Sequence, residues 1–317
     1  MKTLHILNGD ATKSLFTQSG LTGDICVWRE ALATGPVLQV VGSPEFWKLR
    51  AQYIMDSFEG YFQKGPDLEE YQAMAVKLAM VEKAAHYDEL ILWFEYDLFC
   101  QINLIALLSW LKHLEPKNTK ISLVCIDQFP GHPNFRGLGE LKPQDFPSLI
   151  GQKIQLTTKD LEFAHEAWLA FADPDPRAIQ NLLNRSFPPA FPFLADALKA
   201  HIKRFPRARN GLNHLQVKQL ELIRKGSSTK KKIVREMLQN DFHYGFGDLQ
   251  YFEMLHQLAK LYDTQGDQLL LNSTGESVLS GTMHFFDIEK SDFPLGGANG
   301  RKYCLDQADE TLTVSNY

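Results

Sequence analysis

Four short apolar segments in the first half of the chain alternate with longer segments of helical periodicity. The apolar segments cover residues 4–7, 24–28, 89–94 and 120–126. Apolarity that is continuous along a segment, rather than alternating, is typical of strands buried on both faces of a parallel sheet. The stretches between them are long enough for the right-handed helical crossovers that parallel strands require. The pattern predicts an α/β fold with a Rossmann-like, doubly wound parallel sheet.

Helices are predicted where apolar residues recur at a spacing of three or four positions. In the first two thirds of the chain these segments are 12–19, 45–86, 97–114, 159–172, 177–184 and 193–204, and residues 153–156 add a further short strand. We expect Thr158 to begin its helix as an N-cap, because a side-chain oxygen at that position accepts a hydrogen bond from the first turn. The Pro-rich segment 187–192 is expected to be a junction.

The pattern changes after about Asn210. Three helices are predicted at 212–225, 229–238 and 247–261, the second of them capped by Ser227, Ser228 and Thr229. Residues 268–272 and 276–279 then flank a Ser-Thr-Gly turn, which predicts a hairpin. Three helices followed by a hairpin is the winged-helix order. We therefore assign 1–157 to a Rossmann-like α/β domain, 158–209 to a helical linker region, and 210–317 to a mainly helical, winged-helix-like domain with a small β tail.

Composition narrows the class of protein. The 317 residues favour two domains, and 44% hydrophobic residues exclude intrinsic disorder and collagen-like repeats. The net charge of −5 gives no general attraction to nucleic acid or to an anionic membrane. No signal peptide is predicted, and the longest apolar stretch, 102–111, is shorter than the ~20 residues of a membrane span. Four widely spaced cysteines without CxxC spacing indicate reduced thiols in a cytoplasmic protein.

Polar side chains follow each of the four predicted strands. Ligands of open parallel sheets bind beyond the carboxyl ends of the strands, so we expect these side chains to meet at one edge. The candidate ligand-binding residues are Asn8, Gly9, Asp10, Thr12, Arg29, Glu30, Glu95, Asp97 and Gln101. Tyr96 lies between two of them, and Asp127 and Gln128 follow the fourth strand. The sequence predicts a carboxylate-rich site at this edge.

The carboxylates at this edge have two functional interpretations. In the first, Asp10, Glu95 and Asp97 would hold Mg²⁺ through oxygen ligands. Arg29 and the amides at the start of the first helix would then bind a phosphate. In the second, one carboxylate with a pKa raised by like-charged neighbours would act as a general base.

The same residues also have a purely structural interpretation. Asp10 and Asp97 would be ordinary helix N-caps. Arg29 and Glu30 would form a solvated ion pair, and Glu95 would be exposed at the end of its strand. Sequence spacing alone leaves the functional and structural interpretations open.

The loop 129–140 is a second candidate site. Gly131, Gly137 and Gly139 would allow a close approach of backbone to a ligand, and His132 and Arg136 could contact an anion. The alternative is a plain surface crossover rich in turn-forming residues.

A basic segment covers residues 201–240. It has eleven basic and two acidic residues and therefore a net charge of +9. Because the whole chain has a net charge of −5, the remaining residues together carry −14. In a winged-helix-like region such an excess could contact nucleic-acid phosphates. The third helix begins Asp248-Leu249-Gln250-Tyr251-Phe252-Glu253, however, which is typical of a packing helix rather than one that reads bases. A solvated face, or one docked on the acidic first domain, is the simpler interpretation.

Several motifs resemble a bacterial family catalogued as domain of unknown function 1835. The resemblance rests on residues 4–10, 27–32 with Gly35-Pro36, 92–97, 137–141, Phe205-Pro206, 210–212 and 244–248. It therefore covers most of the chain and includes Asn8-Gly9-Asp10, Glu95-Tyr96-Asp97 and Tyr244-Gly245-Phe246-Gly247-Asp248. A later Leu295-Gly296-Gly297 also looks like a family feature, with a backbone that could close over the first domain. The resemblance implies the Rossmann-like α/β fold, and it assigns no residue a catalytic role.

Two functional hypotheses follow. The first is binding of a phosphorylated or nucleotide-like ligand at the strand edge, of which a Mg²⁺-assisted hydrolase or transferase is one form. The second is a ligand-sensing regulator that binds nucleic acid or protein through the basic segment. None of the motifs GxGxxG, GxxxxGK[ST], GxSxG and HExxH occurs in the sequence, so no reaction is assigned.

Overall fold

The computed structural model describes residues 1–58, 81–226, 229–306, 308 and 310–317. A five-stranded sheet forms the centre of the first half of the chain. Its strands are β1 (Thr3–Asn8), β2 (Asp24–Trp28), β4 (Glu89–Glu95), β5 (Lys120–Ile126) and β6 (Ile154–Gln155). The four predicted parallel strands are confirmed, and residues 154–155 add an antiparallel edge strand. The chain has a mixed α/β fold.

The strand order across the sheet is β2-β1-β4-β5-β6. After β1 the chain adds β2 on one side, and it then crosses back to add β4 on the other side of β1. The direction in which strands are added therefore reverses between β1 and β4. Open α/β sheets form a crevice for ligands at such a reversal, outside the carboxyl ends of the strands. Here these ends are Asn8 in β1 and Glu95 in β4.

Helices cover both faces of the sheet. On one face α1 (Asp10–Thr17) and α4 (Phe146–Ile150) contribute Phe16 and Phe146 to a small apolar cluster with Trp93. On the other face lie α3 (Leu98–Leu114) and α5 (Thr158–Phe171), which contact each other. Thirteen of the 17 residues of α3 are buried, so this helix is a core element on all sides.

The remaining helices of this region differ from the predictions mainly at their ends. They are α2 (Pro44–Phe58), α6 (Arg177–Leu183) and α7 (Leu194–Ile202). The described part of the predicted helix 45–86 comprises α2, the helical residues 81–82 and a short 3₁₀ turn at Ala84–His86, and residues 59–80 lie outside the described residues. The N-cap of α5 is Thr157 and not Thr158, because the Thr157 hydroxyl and the Asp160 carboxylate form the reciprocal capping box.

Three helices and a hairpin follow, as predicted, but the hairpin lies earlier. The elements are α8 (His214–Arg224), α9 (Lys230–Asn240), α10 (Asp248–Gln257), β7 (Tyr262–Gln265), β8 (Gln268–Leu271) and α11 (Ser273–Ser280). The prediction of a strand at 276–279 is wrong, since the Asn272 side chain accepts a hydrogen bond from the Gly275 amide and begins a helix there. The turn lies instead at Gly266, whose φ is +59°. Thr229, the N-cap of α9, forms an isolated bridge to Gln268.

The tail consists of short elements, as predicted. They are α12 (Phe285–Ile288), β9 (Pro294–Gly296), β10 (Ala298–Asn299), β11 (Tyr303–Leu305) and β12 (Leu312–Val314). β9 pairs in parallel with β3 (Gly35–Pro36), so the tail joins the segment that follows β2. One apolar cluster extends from Leu4 to Leu312 and unites the two halves of the chain. None of the described helices combines the length and apolarity of a membrane span.

Candidate functional site

A buried polar cluster lies where the carboxyl end of β4 meets the start of α3. Glu95 ends the strand, Asp97 caps the helix and Cys100 lies in its first turn, with exposed fractions of 8%, 5% and 3%. One ligand-type atom from each of these side chains lies within 4.8 Å of the other two. The structure therefore brings together Glu95 and Asp97, both predicted site residues, with Cys100, which the sequence pattern did not indicate.

Both oxygens of the Glu95 carboxylate accept hydrogen bonds from the protein. Oε1 accepts from the Leu138 amide at 2.6 Å, and Oε2 accepts from the Cys100 thiol at 2.9 Å. The Gln101 amide donates to the backbone carbonyl of Glu95 at 2.7 Å. A Cβ on Gly137 would lie 2.7 Å from Oε1, so the loop after β5 closes directly over this carboxylate. The expectation of an exposed Glu95 is wrong because this loop covers the end of the strand.

The Asp97 carboxylate connects α3 to the C-terminal half of the chain. Its Oδ1 accepts a hydrogen bond from the Cys100 amide at 2.8 Å, which confirms the predicted N-cap. Gly245, which follows the 3₁₀ turn Phe242–Tyr244, lies against the same oxygen so closely that a Cβ there would overlap it. Gly245 has a φ of +64°, in the left-handed region that favours glycine.

Asn8 extends the cluster to the carboxyl end of β1. Its Nδ2 donates to the Cys100 sulfur at 2.8 Å, and its Oδ1 accepts from the Asn103 amide at 3.0 Å. Asn103 also donates to the backbone carbonyl of Glu30 at 2.7 Å. Residues from β1, from the segment after β2, from β4 and from α3 thus share one hydrogen-bond network.

Burial perturbs every titratable group in this cluster. The pKa of Glu95 is raised, first by burial and then by the charge of Asp97, and burial likewise raises the pKa of Asp97. The pKa of the Cys100 thiol lies well above its ordinary value because of burial and both carboxylates. The thiol is therefore protonated at neutral pH, in agreement with its role as a donor to Glu95.

The donor set of this cluster fits Mg²⁺ poorly. Mg²⁺ prefers carboxylate oxygens and several waters in an octahedral shell, whereas both Glu95 oxygens and Asp97 Oδ1 already accept hydrogen bonds from the protein. Cys100 contributes a protonated sulfur, a poor ligand for a hard cation. The third predicted metal ligand, Asp10, is not part of the cluster. The arrangement is that of a satisfied buried network.

Asp10 and Arg29 form an ion pair of their own at the surface. The guanidinium donates two hydrogen bonds to the carboxylate, at 2.7 and 2.8 Å. Asp10 is the first residue of α1 and not its N-cap, which is Gly9. The Gly9 amide points to the carbonyls of Leu7 and Trp28. A phosphate at the start of α1 would have to displace the Asp10 carboxylate from Arg29, so the pair does not favour the predicted phosphate site.

Glu30 is buried and pairs with Arg50, so it does not form the expected solvated pair with Arg29. It accepts a hydrogen bond from Nε of Arg50 at 3.1 Å, and both side chains are almost fully buried. The Arg50 guanidinium also donates to the carbonyls of Ala31, Thr34 and Pro36. Arg50 is a structural residue that the sequence pattern did not reveal, since one arginine in an amphipathic helix carries no distinctive signal. Thr12, another predicted site residue, is buried within α1.

An open cleft of about 770 Å³ lies beside the buried cluster, at the carboxyl ends of β4 and β5. Its walls come from the residues after these strands, from α7 and from the end of α9. The lining residues are Tyr96, Asp127, Gln128, His132, Pro133, Asn134, Phe135, Arg136, Phe193, Asp196, Ala197, Gln239, Phe242 and His243. The loop 129–140, the second sequence candidate, therefore forms one wall of this cleft. Asp127 and Gln128, which follow β5, also open into it.

Aromatic rings and one arginine dominate the chemistry of the cleft. The rings of Tyr96 and Phe193 meet edge to face at 6.3 Å, and Phe242 is 47% exposed. Burial and the surrounding carboxylates raise the pKa of Tyr96 to about 12, so its hydroxyl stays protonated. Arg136 is exposed, and the described part of the chain gives its guanidinium no ion pair.

Part of the basic segment has partners within the C-terminal region. Lys203 pairs with Glu310, Lys218 with Asp241, and Arg224 with Glu221 and Glu276. Among the described residues, no ion pair joins this segment to an acid of residues 1–157. Within the part of the chain that the structure describes, ion pairs therefore do not account for a docking of this segment on the acidic first half. The basic side chains of α9 are exposed, namely Lys230, Lys231, Lys232 and Arg235.

No model of a known protein family matches this chain, and a search of curated proteins finds no match to it.

Proposed function

We propose that this protein binds a phosphorylated, nucleotide-like small molecule in the cleft at the carboxyl ends of β4 and β5. The observation that carries the proposal is the position of this cleft. It opens at the carboxyl ends of β4 and β5, the edge of an open α/β sheet at which ligands bind, one strand along from the reversal between β1 and β4. Its volume of about 770 Å³ is within the range of small-molecule sites.

The lining of the cleft supplies a group for each part of such a ligand. Tyr96, Phe193 and Phe242 offer ring faces and edges for a planar base. Asp127 and Gln128 are suited to the hydroxyls of a ribose, as acids after strands are in other dinucleotide sites. Arg136, with His132 beside it in the lining, offers the planar cation that phosphate groups favour.

The buried cluster holds two walls of the cleft in position. Glu95 holds the Leu138 amide and so fixes the loop that forms one wall. Asp97 contacts Gly245, which follows Phe242 and His243 of the opposite wall. We assign these carboxylates a positioning role, because each is at least 92% buried and neither lines the cleft. The proposal is binding, and it includes neither Mg²⁺ nor a reaction.

The family resemblance agrees with this account. Its motifs include Asn8, Glu95, Gly137 and Gly245, which come from four distant parts of the chain and meet in the buried cluster or against it. We propose that the chain shares the Rossmann-like fold of that family. We also propose that the matching residues are the ones that this buried cluster needs in order to form.

A second candidate function is contact with nucleic-acid phosphates through α9. The specific observation in its favour is three exposed lysines in the first turn of that helix, where positive charge opposes the helix dipole. We propose a winged-helix fold for this region, and the isolated bridge between Thr229 and Gln268 of β8 supports that proposal. α10 contacts α2 and has a buried face, so any contact would be to phosphates and not to bases.

A thermal-shift screen tests the leading proposal. Nucleoside mono-, di- and triphosphates, with and without Mg²⁺, should raise the melting temperature, because a ligand that binds only the folded state stabilises it. The shift should disappear in Arg136→Gln and persist in Arg185→Gln, an exposed arginine paired with Glu166. Absence of any shift across the panel, or an equal shift in Arg136→Gln, would overturn the proposal.

A further inference from the structure

A second cavity, of about 540 Å³, lies between the two halves of the chain and shares no lining residue with the first. One side is formed by the segment after β2 and by α2, and the other by α10 and the tail. Its lining includes Thr34, Tyr53, Arg204, Phe246, Met254 and Phe286. Both halves of the chain would therefore contact anything bound there.

Arg204 is the notable residue of this cavity. Its exposed fraction is only 6%, and the guanidinium lies over the ring of Phe246 at 5.1 Å. Nη1 donates to the Ala33 carbonyl and lies 3.2 Å from Nδ1 of His201. Within the described residues, Nε and Nη2 form no hydrogen bond and no carboxylate forms an ion pair with the side chain.

Arg50 shows what the same fold provides for a buried arginine with a structural role. It is fully buried, pairs with Glu30 and donates to three backbone carbonyls. Arg204 has one carbonyl and a neutral histidine, since burial and the charge of Arg204 hold the pKa of His201 well below its ordinary value. Burial lowers the pKa of Arg204 itself to about 10, so it remains charged at neutral pH. A buried charge without a partner is strongly unfavourable.

We propose that this cavity is a binding site for a small organic carboxylate, whose carboxyl group pairs with Nε and Nη2 of Arg204. The Nε–Nη2 edge of a guanidinium matches the two oxygens of a carboxylate. Phe246, Met254 and Phe286 offer apolar contacts to the rest of the molecule. The lining also contains Glu253 and Glu289, so a singly charged carboxylate suits the cavity better than a doubly charged phosphate.

Methionine-methyl NMR with simple acids tests this site. The probes are hexanoate, benzoate, phenylacetate and indole-3-acetate, with phenylacetamide and phenyl phosphate as matched controls. At least one acid should shift the methyl signal of Met254, while the exposed Met283 stays unchanged. Phenylacetamide, which has no charge, should bind at least tenfold more weakly than phenylacetate.

Two variants distinguish a specific loss of acid binding from a general loss of folding. In a calorimetric titration Arg204→Met should weaken binding of the acid at least tenfold, and Met254→Trp, which keeps Arg204, fills the cavity and removes the NMR probe, should do the same. The inference is overturned if no acid moves Met254, if phenylacetamide binds as well as phenylacetate, or if phenyl phosphate binds more tightly. Arg136→Gln should leave acid binding unchanged, so failure here and failure of the proposed nucleotide site are distinguishable.

Discussion

Gly245 lies against the carboxylate of Asp97, in a space that no larger residue can share with it. Asp97 begins α3 in the first half of the chain, and Gly245 precedes α10 in the second. This contact joins the two halves at the buried cluster, and it gives one wall of the proposed ligand cleft a fixed position.

The substitution Gly245→Ala should lower the free energy of unfolding by about 3 kcal/mol or more. Its Cβ would overlap Asp97 in a core that cannot expand, and its left-handed backbone adds about 1 kcal/mol. The matched control is Gly266→Ala, which has a similar φ of +59° but open space around the new Cβ. The control should lose only about 1 kcal/mol in urea unfolding. Equal losses in the two variants would show that the contact with Asp97 is unimportant.

The buried carboxylates make stability depend on pH in a defined direction. Burial raises the pKa of Glu95 from 4.5 to about 7 and that of Asp97 from 3.8 to about 6. Between these limits the folded chain binds more protons than the unfolded chain. The contribution of this pair is therefore fully present at low pH and is lost as pH rises through about 6 to 7.

The variant Glu95→Gln should show this effect as a difference from the unmodified protein. Urea midpoints measured from about pH 5 to pH 8 should fall less steeply in the variant, because its buried amide does not titrate. Glu45→Gln, an exposed site in α2, should keep the original slope. A Glu95→Gln profile parallel to that of the unmodified protein would contradict the proposed titration.

Two arginine–carboxylate pairs close to one another in sequence should differ strongly in their effect on stability. Glu30→Gln leaves Arg50 charged and buried, so we expect a loss of about 3 kcal/mol. Asp10→Asn removes the partner of Arg29 at the surface and should cost less than about 1 kcal/mol. Chemical unfolding measures the free energy of unfolding of both variants. A larger loss of stability in Asp10→Asn than in Glu30→Gln would contradict this prediction.

The sequence predicts the sheet well because its strands are buried on both faces. Residues 24–28 and 120–126 are strands with the predicted ends, and Asp97 is the predicted N-cap. Local sequence patterns were enough to predict the structure at these positions. They misled at 276–279, where apolar residues suggested a strand but the Asn272 side chain begins a helix. Side-chain capping outweighed a weak strand preference there.

The candidate site was predictable only in part. The rule that ligands bind at the carboxyl ends of strands led us to expect Asn8, Glu95, Asp97 and Gln101 at one edge of the sheet, and they do lie together there, in the buried cluster and not in the cleft. It could not show that Asp10 pairs with Arg29, since pairing depends on side-chain directions that strand order does not fix.

Other residues gave no local signal. Cys100 and Asn103 belong to the apolar run of α3, where a small polar side chain does not stand out. The partners that reveal them, Asn8 and Glu95, are distant in the sheet or belong to another element.

Replacing Lys230, Lys231 and Lys232 with Ala should stabilise the protein by about 1 kcal/mol. The three lysines occupy the first turn of α9, where positive charge opposes the helix dipole, and alanine favours helix formation. Arg235→Ala, in the middle of the same helix, should change stability little. Thermal unfolding at low salt measures both, and a lower melting temperature in the triple variant would show that the lysines form contacts in the folded protein.

The same triple variant tests the second candidate function. If α9 contacts nucleic acid, the logarithm of the dissociation constant for duplex DNA should rise linearly with the logarithm of salt concentration. The triple variant should reduce this slope by about 3, roughly one for each lost phosphate contact. Undetectable binding at low salt, or a slope that the triple variant does not change, would end this candidate.

The most direct test of the nucleotide cleft is a calorimetric titration that compares two arginines. The nucleotide giving the largest thermal shift would be titrated into the unmodified protein, Arg136→Gln and Arg29→Gln. Arg136 lines the cleft, while Arg29 pairs with Asp10 at the start of α1. We expect at least tenfold weaker binding in Arg136→Gln and unchanged binding in Arg29→Gln. Weaker binding in Arg29→Gln, with Arg136→Gln unaffected, would contradict this expectation and place the ligand at the start of α1.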